Sequence, residues 1–117
     1  MTRSRTPQDG LRQELRRGTL VLAALGALRR ERCGADLIDV MSDAGMSIEP
    51  GALYPMLRRL EDQGLLVSEW RVEEGRRKRF YSASSAGCKI AAELTTDLAR
   101  IIAGLQSLNE DKTDVNR

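Results

Sequence analysis

The chain has 117 residues, which gives room for one domain with a thin hydrophobic core and hardly for two. Its hydrophobic content of 41% is that of a globular protein, and its net charge of +2 does not by itself indicate a nucleic-acid partner. The chain contains no histidine, the commonest general base and metal ligand, and its two cysteines, Cys33 and Cys88, lack metal-ligand spacing. We therefore expect no catalytic site, no metal site and no cofactor.

The same features bear on the compartment. Two widely spaced cysteines are typical of a cytoplasmic protein with reduced thiols. The basic start "MTRSRTPQDG" is not followed at once by the apolar segment of a signal peptide, and "TLVLAALGAL" is too short to cross a bilayer. We expect a cytoplasmic protein without membrane contact.

Two helical segments are expected at the start of the chain. Residues 1–16 are predicted to form a polar arm or a short helix, with Asp9 as its cap and Gly18 as the break after it. A helix over about residues 19–31 follows, and its apolar residues on nearly all sides indicate a helix buried in the core.

The next two helices are joined by a short turn. The segment "ADLIDVMSDAG" predicts an amphipathic helix that ends near Gly45, because glycine is a favoured stop. A third helix lies within residues 48–63 and ends at Gly64. Proline costs little only in the first turn of a helix, so Pro55 favours a helix start near Gly51 over a bend at Pro55.

A β-hairpin and a long helix complete the chain. Alternating residues predict strands over residues 65–72 and 78–83, with a turn between them. The last helix covers about residues 86–108, and its apolar residues recur at the alternating spacings of three and four that are typical of a coiled coil. The expected dimerisation face consists of Ala91, Leu94, Leu98, Ile101, Leu105 and Leu108. We expect a winged-helix domain over residues 17–83, a dimerisation helix over residues 84–108 and a disordered tail over residues 109–117.

Three helices followed by a hairpin predict a mainly α fold with a β-hairpin, the winged helix-turn-helix. In that fold the third helix enters the DNA major groove and the hairpin, or wing, follows the phosphate backbone. The open side of the third helix carries a tyrosine and two arginines, and the block "RRKR" lies at the hairpin turn, where cations suit phosphates. We expect double-stranded DNA as the partner. The expected DNA-binding residues are Ser47, Gly51, Tyr54, Pro55, Arg58, Arg59, Arg76, Arg77, Lys78 and Arg79.

The segments "GALYPMLRRLEDQGLLVSEW" and "GRRKRFYSASSAG" resemble the PadR family of bacterial transcriptional regulators. The family's third helix carries the pattern Gly-x-Leu-Tyr-Pro-x-Leu-x-Arg-Leu-Glu, which stands here in front of a wing. The matching residues are Gly51, Leu53, Tyr54, Pro55, Leu57, Arg59, Leu60 and Glu61, followed by Gly64, Leu65, Leu66, Ser68, Glu69, Trp70, Phe80, Tyr81 and Gly87. The resemblance covers about residues 17–105.

The chain departs from the family pattern at two places. Cys33, Gly34 and Ala35 stand where the family has His-Gly-Tyr, and Ala83 and Ser84 stand where it has Leu-Thr. The single C-terminal helix resembles the small PadR subgroup, in which that helix mediates dimerisation. The resemblance implies a homodimeric repressor that binds a near-palindromic promoter site and is released by a small-molecule effector.

Four features have a second interpretation. The last helix is expected to mediate dimerisation, with packing back on its own domain as the alternative. The rival class is a winged-helix module that binds proteins instead of DNA, although such a module has no need for so many cations on one side. Trp70 is expected to wedge the hairpin against a helix, with stacking on a ligand as the alternative. Cys33 is expected to be a small buried residue, with a thiol redox switch as the alternative.

Overall fold

The computed structural model of the protein describes residues 5–110 and shows a mainly helical fold with a small antiparallel sheet. The elements in chain order are α1 (Pro7–Ala27), β1 (Arg32–Cys33), α2 (Gly34–Asp43), α3 (Pro50–Asp62), β2 (Leu66–Glu73), β3 (Arg76–Ala83) and α4 (Ser85–Glu110). Three helices, a hairpin and a long final helix stand in the predicted order, so the predicted fold class is confirmed. Most of the predicted tail and the start of the predicted arm lie outside the described residues.

The first helix is longer than the sequence predicts. α1 continues through Gly18, because one glycine inside a helix costs only about 1 kcal/mol relative to alanine. Its N-cap is Thr6, whose Oγ1 accepts a hydrogen bond from the Asp9 backbone N–H at 3.1 Å. The Thr6 N–H donates to the Asp9 carboxylate at 3.3 Å, which completes a capping box. The expected break at Gly18 and the expected cap at Asp9 are therefore wrong.

The third helix begins at Pro50, one residue before the predicted start, and Pro55 lies inside it rather than in its first turn. Proline suits the first helical position, because the N–H that it lacks would have no partner there. Pro55 removes one hydrogen bond, to the carbonyl of Gly51, and Gly51 is exposed, so water can solvate that carbonyl. The predicted late start is therefore met to within one residue, and the helix tolerates Pro55 inside it for this reason.

A thin core lies between the first three helices and the base of the sheet. β1 pairs with β3, with Cys33 opposite Phe80, and gives the strand order β1–β3–β2. The sequence did not predict β1, which fixes the hairpin to the junction of α1 and α2. The largest fully buried side chains are Leu25, Leu28, Leu37, Met41, Leu53, Leu57 and Leu66.

None of the helices within residues 5–110 is long and apolar enough to cross a membrane.

The last helix contributes to the core at its start and leaves it along its length. Gly87 and Ala91 are buried, and Ala91, with an exposure of 5%, belongs to the core of the chain itself. The expectation that Ala91 is part of a dimerisation face is wrong, because its side chain is already covered within the chain. Exposure rises along the rest of the predicted stripe, from the half-buried Leu94 and Leu98 to 70% at Leu108.

Replacing Gly87 with alanine tests the contact between α4 and the loop before β2. A Cβ at position 87 would overlap the carbonyl oxygen of Leu65, a backbone atom that cannot move aside alone. We expect Gly87→Ala to lower the free energy of unfolding by about 1–3 kcal/mol, measured by urea denaturation. Gly18→Ala is the matched control, since no atom lies within 4 Å of its Cβ position. Equal stability of the two variants would contradict this packing.

Candidate nucleic-acid interface

The third helix has one buried and one open face. Leu53, Leu57 and Leu60 are buried in the core. At about 3.6 residues per turn, an exposed row lies on the opposite side of α3. This row consists of Gly51, Pro55, Arg58 and Asp62. Tyr54 and Glu61 lie on the flank of the helix that faces the hairpin. The open face therefore exists with Arg58 as its central cation, but Tyr54 and Arg59, which the sequence also placed on it, lie on its two flanks.

The two arginines of α3 do not lie on one face. Arg58 lines a groove beside the hairpin, whereas Arg59 is about 100° farther round the helix, away from the hairpin. Ser47, upstream of α3, lies beside α1, and its carbonyl accepts a hydrogen bond from Arg16 Nη2 at 2.6 Å. Arg16 and Arg17 line a second groove, of about 510 Å³, next to the start of α3. Sequence reasoning missed this basic edge because it ended the first helical segment before Gly18.

Tyr54 stands between α3 and the start of α2. A Cβ at position 34 would lie 2.7 Å from Cζ of the Tyr54 ring, so glycine at this position leaves room for the ring. Tyr54 is 41% exposed, and its open side faces the groove. Cys33, which precedes Gly34, is buried as expected, and Cys88 is a half-buried free thiol.

The groove beside Tyr54 lies between α3, the start of α2 and the hairpin, and has a volume of about 630 Å³. Its walls carry cations and aromatic rings, and the cations outnumber the acids. The lining residues include Tyr54, Arg58, Glu61, Trp70, Arg77 and Arg79. A cleft with an excess of positive charge favours an anionic partner.

The hairpin turn places cations at the tip. Gly75 adopts a positive φ of 76° in the turn, and Arg76 and Arg77, which follow it, are exposed. Lys78 Nζ lies 3.5 Å from a carboxylate oxygen of Glu73, and a surface pair of this kind contributes little to stability. The expected cation cluster is therefore at the end of the hairpin that extends farthest from the core.

Arg79, the last cation of the block, is bound by groups of the protein itself. Its Nη2 lies 3.0 Å from Glu61 Oε1, and its Nε donates to Ser68 Oγ at 3.0 Å. Its guanidinium also lies 5.6 Å from the ring centroids of both Trp70 and Tyr81. A phosphate would compete with these partners, so the assignment of Arg79 to DNA stays a prediction.

Trp70 lies outside the core, and the expectation that it wedges the hairpin against a helix is wrong. Its side chain is 52% exposed, and the Arg77 guanidinium lies 4.6 Å from its ring centroid. The reason is the length of the hairpin: Trp70 pairs with Arg79, beyond the point where Leu66 and Tyr81 close the core. A cation over an exposed ring contributes about 0.5–1 kcal/mol, which favours a position of Arg77 beside the groove.

The other face of the sheet is tied to the segment after α1. Arg71 pairs with Glu31 and, at 2.7 Å, with Glu69, and its guanidinium lies 4.7 Å from the Phe80 centroid. The hydrogen bond with Glu31 raises the pKa of Arg71 further above its usual value, so the guanidinium stays charged. On the groove side, burial raises the pKa of the Tyr81 hydroxyl. Sequence reasoning missed the Arg71 network because the fold alone brings Glu31 next to the hairpin.

Comparison with known proteins decides the family. Residues 21–93, more than half of the chain, match the sequence profile of the transcriptional regulator PadR-like family. The chain belongs to this family. It is 49% identical over 80 residues to the transcriptional regulator Rv3488 of Mycobacterium tuberculosis, a match that covers 63% of this chain and 72% of Rv3488. It is 31% identical over 94 residues to the transcriptional activator GvpE2 of Halobacterium salinarum; that match covers 78% of this chain but only 47% of GvpE2.

Solved structures have the same fold. A PadR family transcriptional regulator from Eggerthella lenta superposes with a TM-score of 0.81 at 36% identity, over 87% of this chain and 91% of that one. Bacillus subtilis PadR, solved in complex with operator DNA, superposes with a TM-score of 0.61 at 24% identity, over 66% of this chain and 47% of that one. PadR-like proteins are transcriptional regulators, so this PadR-like chain is a regulator and not an enzyme.

Proposed function

We propose that this PadR-like protein binds double-stranded DNA sequence-specifically and represses transcription as a homodimer on a near-palindromic promoter site. One observation carries the proposal: Arg58 on the open face of α3 and the cations at the tip of the hairpin line the same groove. A helix that offers hydrogen-bond donors beside a wing that offers positive charge matches the two readouts of duplex DNA, base edges and phosphates.

The surface of α3 supports its role as a recognition helix. The major groove is about 12 Å wide and admits one helix. Gly51 and Pro55 carry no long side chain, so the exposed row of α3 can approach the base edges closely. Arg58 follows on the same row, where a guanidinium can donate two hydrogen bonds to guanine. We expect Tyr54 and Arg59, on the two flanks, to contact the sugar–phosphate backbones beside the groove.

The hairpin tip supports the electrostatic part of the interaction. Arg76, Arg77 and Lys78 follow the turn directly, and each phosphate that such cations neutralise releases counterions and strengthens binding at low salt. The operator complex of Bacillus subtilis PadR is a precedent for DNA binding by this fold. Ser47, beside the start of α3, is a further candidate for a phosphate contact.

Exposed apolar residues on two helices support a dimer. Leu11 and Leu15, one turn apart on α1, are exposed by 66% and 70%. The large exposed apolar residues of α4 are Ile101, Ile102, Leu105 and Leu108. A second copy of the chain, related by a twofold axis, would cover these surfaces and present two α3 helices to two half-sites.

Repression follows when the bound dimer covers a promoter and excludes RNA polymerase. A small-molecule effector that prefers one packing of the dimer helices would change the spacing of the two α3 helices and release the DNA.

GvpE2, one of the relatives, is a transcriptional activator. A promoter–reporter fusion tests whether this chain represses or activates transcription. We expect reporter output to fall when the protein is present, and a rise would overturn repression.

Fluorescence anisotropy tests DNA binding itself. The probes are a labelled duplex from upstream of the protein's own gene and a scrambled duplex, at near-physiological salt, and selection from genomic fragments supplies a specific duplex if the first is not bound. We expect binding of the specific duplex to be about a thousandfold tighter than of the scrambled one. Absence of binding to any DNA at low salt would overturn the proposal and favour the protein-interaction module.

Replacing Arg77 tests the phosphate contacts of the wing. We expect Arg77→Ala to weaken binding to specific and scrambled duplexes by the same factor, because a phosphate contact carries no sequence information. The magnitude of the slope of log affinity against log salt should decrease by about 0.9. Anisotropy titrations at several salt concentrations measure this slope. Arg100→Ala, on the exposed surface of α4, is the matched control and should change neither quantity. An unchanged slope for Arg77→Ala would remove this residue from the interface.

Replacing Arg58 tests base recognition by α3. We expect Arg58→Ala to cost about 1–3 kcal/mol on the specific duplex and to relax the preference at one base pair, measured by competition with single-base variants of the site. Arg59→Ala, on the flank of the same helix, should retain the preference at that base pair. Equal losses on specific and scrambled DNA would show that Arg58 reads no base.

Replacing Leu105 tests the dimer. We expect Leu105→Glu to convert the dimer to a monomer, because a charge would be buried in an apolar interface, and sedimentation equilibrium measures the change. Ala103→Glu, on the opposite side of α4, is the matched control and should stay dimeric. A wild-type protein that sediments as a monomer at micromolar concentration would contradict the dimer.

A further inference from the structure

The contact between α3 and the hairpin is a closed ring of three side chains. Glu61 Oε1 accepts from Arg79 Nη2 at 3.0 Å, and Glu61 Oε2 accepts from Ser68 Oγ at 2.7 Å. The same Ser68 Oγ accepts from Arg79 Nε at 3.0 Å. Both carboxylate oxygens are used, and each strand of the hairpin supplies one partner, Ser68 from β2 and Arg79 from β3. We call these three residues the Glu61 clamp.

The clamp acts where the core no longer supports the hairpin. Beyond Leu66 the strands leave the core, and Trp70 and Val72 are exposed by 52% and 74%. A two-stranded hairpin has little stability of its own, so outside contacts fix the direction of its tip. Within residues 5–110, the side-chain hydrogen bonds from α3 to the hairpin are those of Glu61. On the other face of the sheet, Arg71 ties the hairpin to Glu31, which lies after α1 and not on α3.

We propose that Glu61 and Arg79 are positioning residues that set the angle between the recognition helix and the wing. With the clamp closed, the tip cations reach the phosphate backbone at the same time as Arg58 reaches the bases. Arg79 then acts through the wing and not as a phosphate ligand, which its place in the block "RRKR" would suggest. This inference rests on the proposed DNA binding; it adds Glu61 to the residues involved and gives Arg79 a positioning role instead of a phosphate contact.

The charge of Glu61 allows a positioning role to be told from none by the direction in which DNA affinity changes when the residue is neutralised. Glu61 lines the groove, and its side chain is 29% exposed. A carboxylate close to DNA phosphates is repelled by them, so without a positioning role its neutralisation would strengthen DNA binding. If the clamp positions the wing, neutralising Glu61 should instead weaken DNA binding. Asp62, the next residue of α3, is an exposed acid on the open row and provides a matched control.

The first experiment compares the affinity of five proteins for the specific duplex by anisotropy: the wild type, three single variants and one double variant. We expect Glu61→Gln to bind about tenfold more weakly than the wild type, since the amide keeps the shape of the side chain but loses the ion pair with Arg79. Asp62→Asn should bind more tightly than the wild type, because it removes a negative charge from the open row without opening the clamp. The double variant Glu61→Gln/Arg79→Ala should bind no more weakly than Arg79→Ala alone, because both substitutions open the same clamp. Tighter binding by Glu61→Gln than by the wild type would overturn the proposal.

A second measurement tests the clamp without DNA. Trp70 is the single tryptophan of the chain and lies 5.6 Å from the Arg79 guanidinium, so its emission reports the surroundings of the clamp. We expect Glu61→Gln and the milder Ser68→Ala to change Trp70 emission and acrylamide quenching, whereas Asp62→Asn leaves both unchanged. Circular dichroism verifies that each variant is folded.

The two measurements separate the failure of the clamp from the failure of DNA binding. If the wild type binds no DNA while Trp70 responds to Glu61→Gln, the proposed function fails and the clamp stands as a structural contact. If the wild type binds DNA, and Glu61→Gln binds equally well with unchanged Trp70 emission, the clamp is overturned and the proposed function stands.

Discussion

The third helix has to bury one row of residues in a thin core while leaving the opposite row open, and this division governs the rest of the molecule. Leu53, Leu57 and Leu60 fill the space between α1, α2 and the base of the sheet. Little apolar surface then remains to support the hairpin, which extends past the core. Polar contacts hold it instead, with Glu61 on the groove side and Arg71 on the other side.

The overall charge of the chain makes the placement of its cations decisive. The net charge of +2 comes from 19 basic and 17 acidic residues, so long-range attraction to a polyanion is weak. Pairing within the chain occupies Arg71 and Arg79. Arg58 and Arg77 line the groove, and Arg76 is exposed at the hairpin tip, so several cations lie along this groove. These few cations at one groove suit a partner that is both negatively charged and complementary in shape to the groove better than a partner that is bound through charge alone.

The order of the elements and the open face of α3 could be predicted from the sequence, because hydrophobic periodicity reports them directly. The errors lie where tertiary context decides. A glycine such as Gly18 is typical of a helix break, but the helical residues on both sides keep α1 continuous through it. The exposure of Trp70 depends on how far the core extends under the hairpin, which the alternation of β2 does not encode. Ala91 continues the apolar stripe of α4 in sequence, yet α4 is already packed on its own chain at that turn. Arg79 could not be told apart from its neighbours in "RRKR" until Glu61 was seen beside it.

Mapping the surface that contacts DNA in solution tests the proposed interface most directly. Backbone amide chemical shifts, recorded for the free protein and for its complex with the selected duplex, give this map residue by residue. We expect large shift changes along the open row of α3 around Arg58 and at the hairpin tip around Arg76, with little change at Arg71 and Phe80 on the other face of the sheet. Changes confined to α1, α4 or the Arg71 face, with α3 unaffected, would contradict the proposed interface.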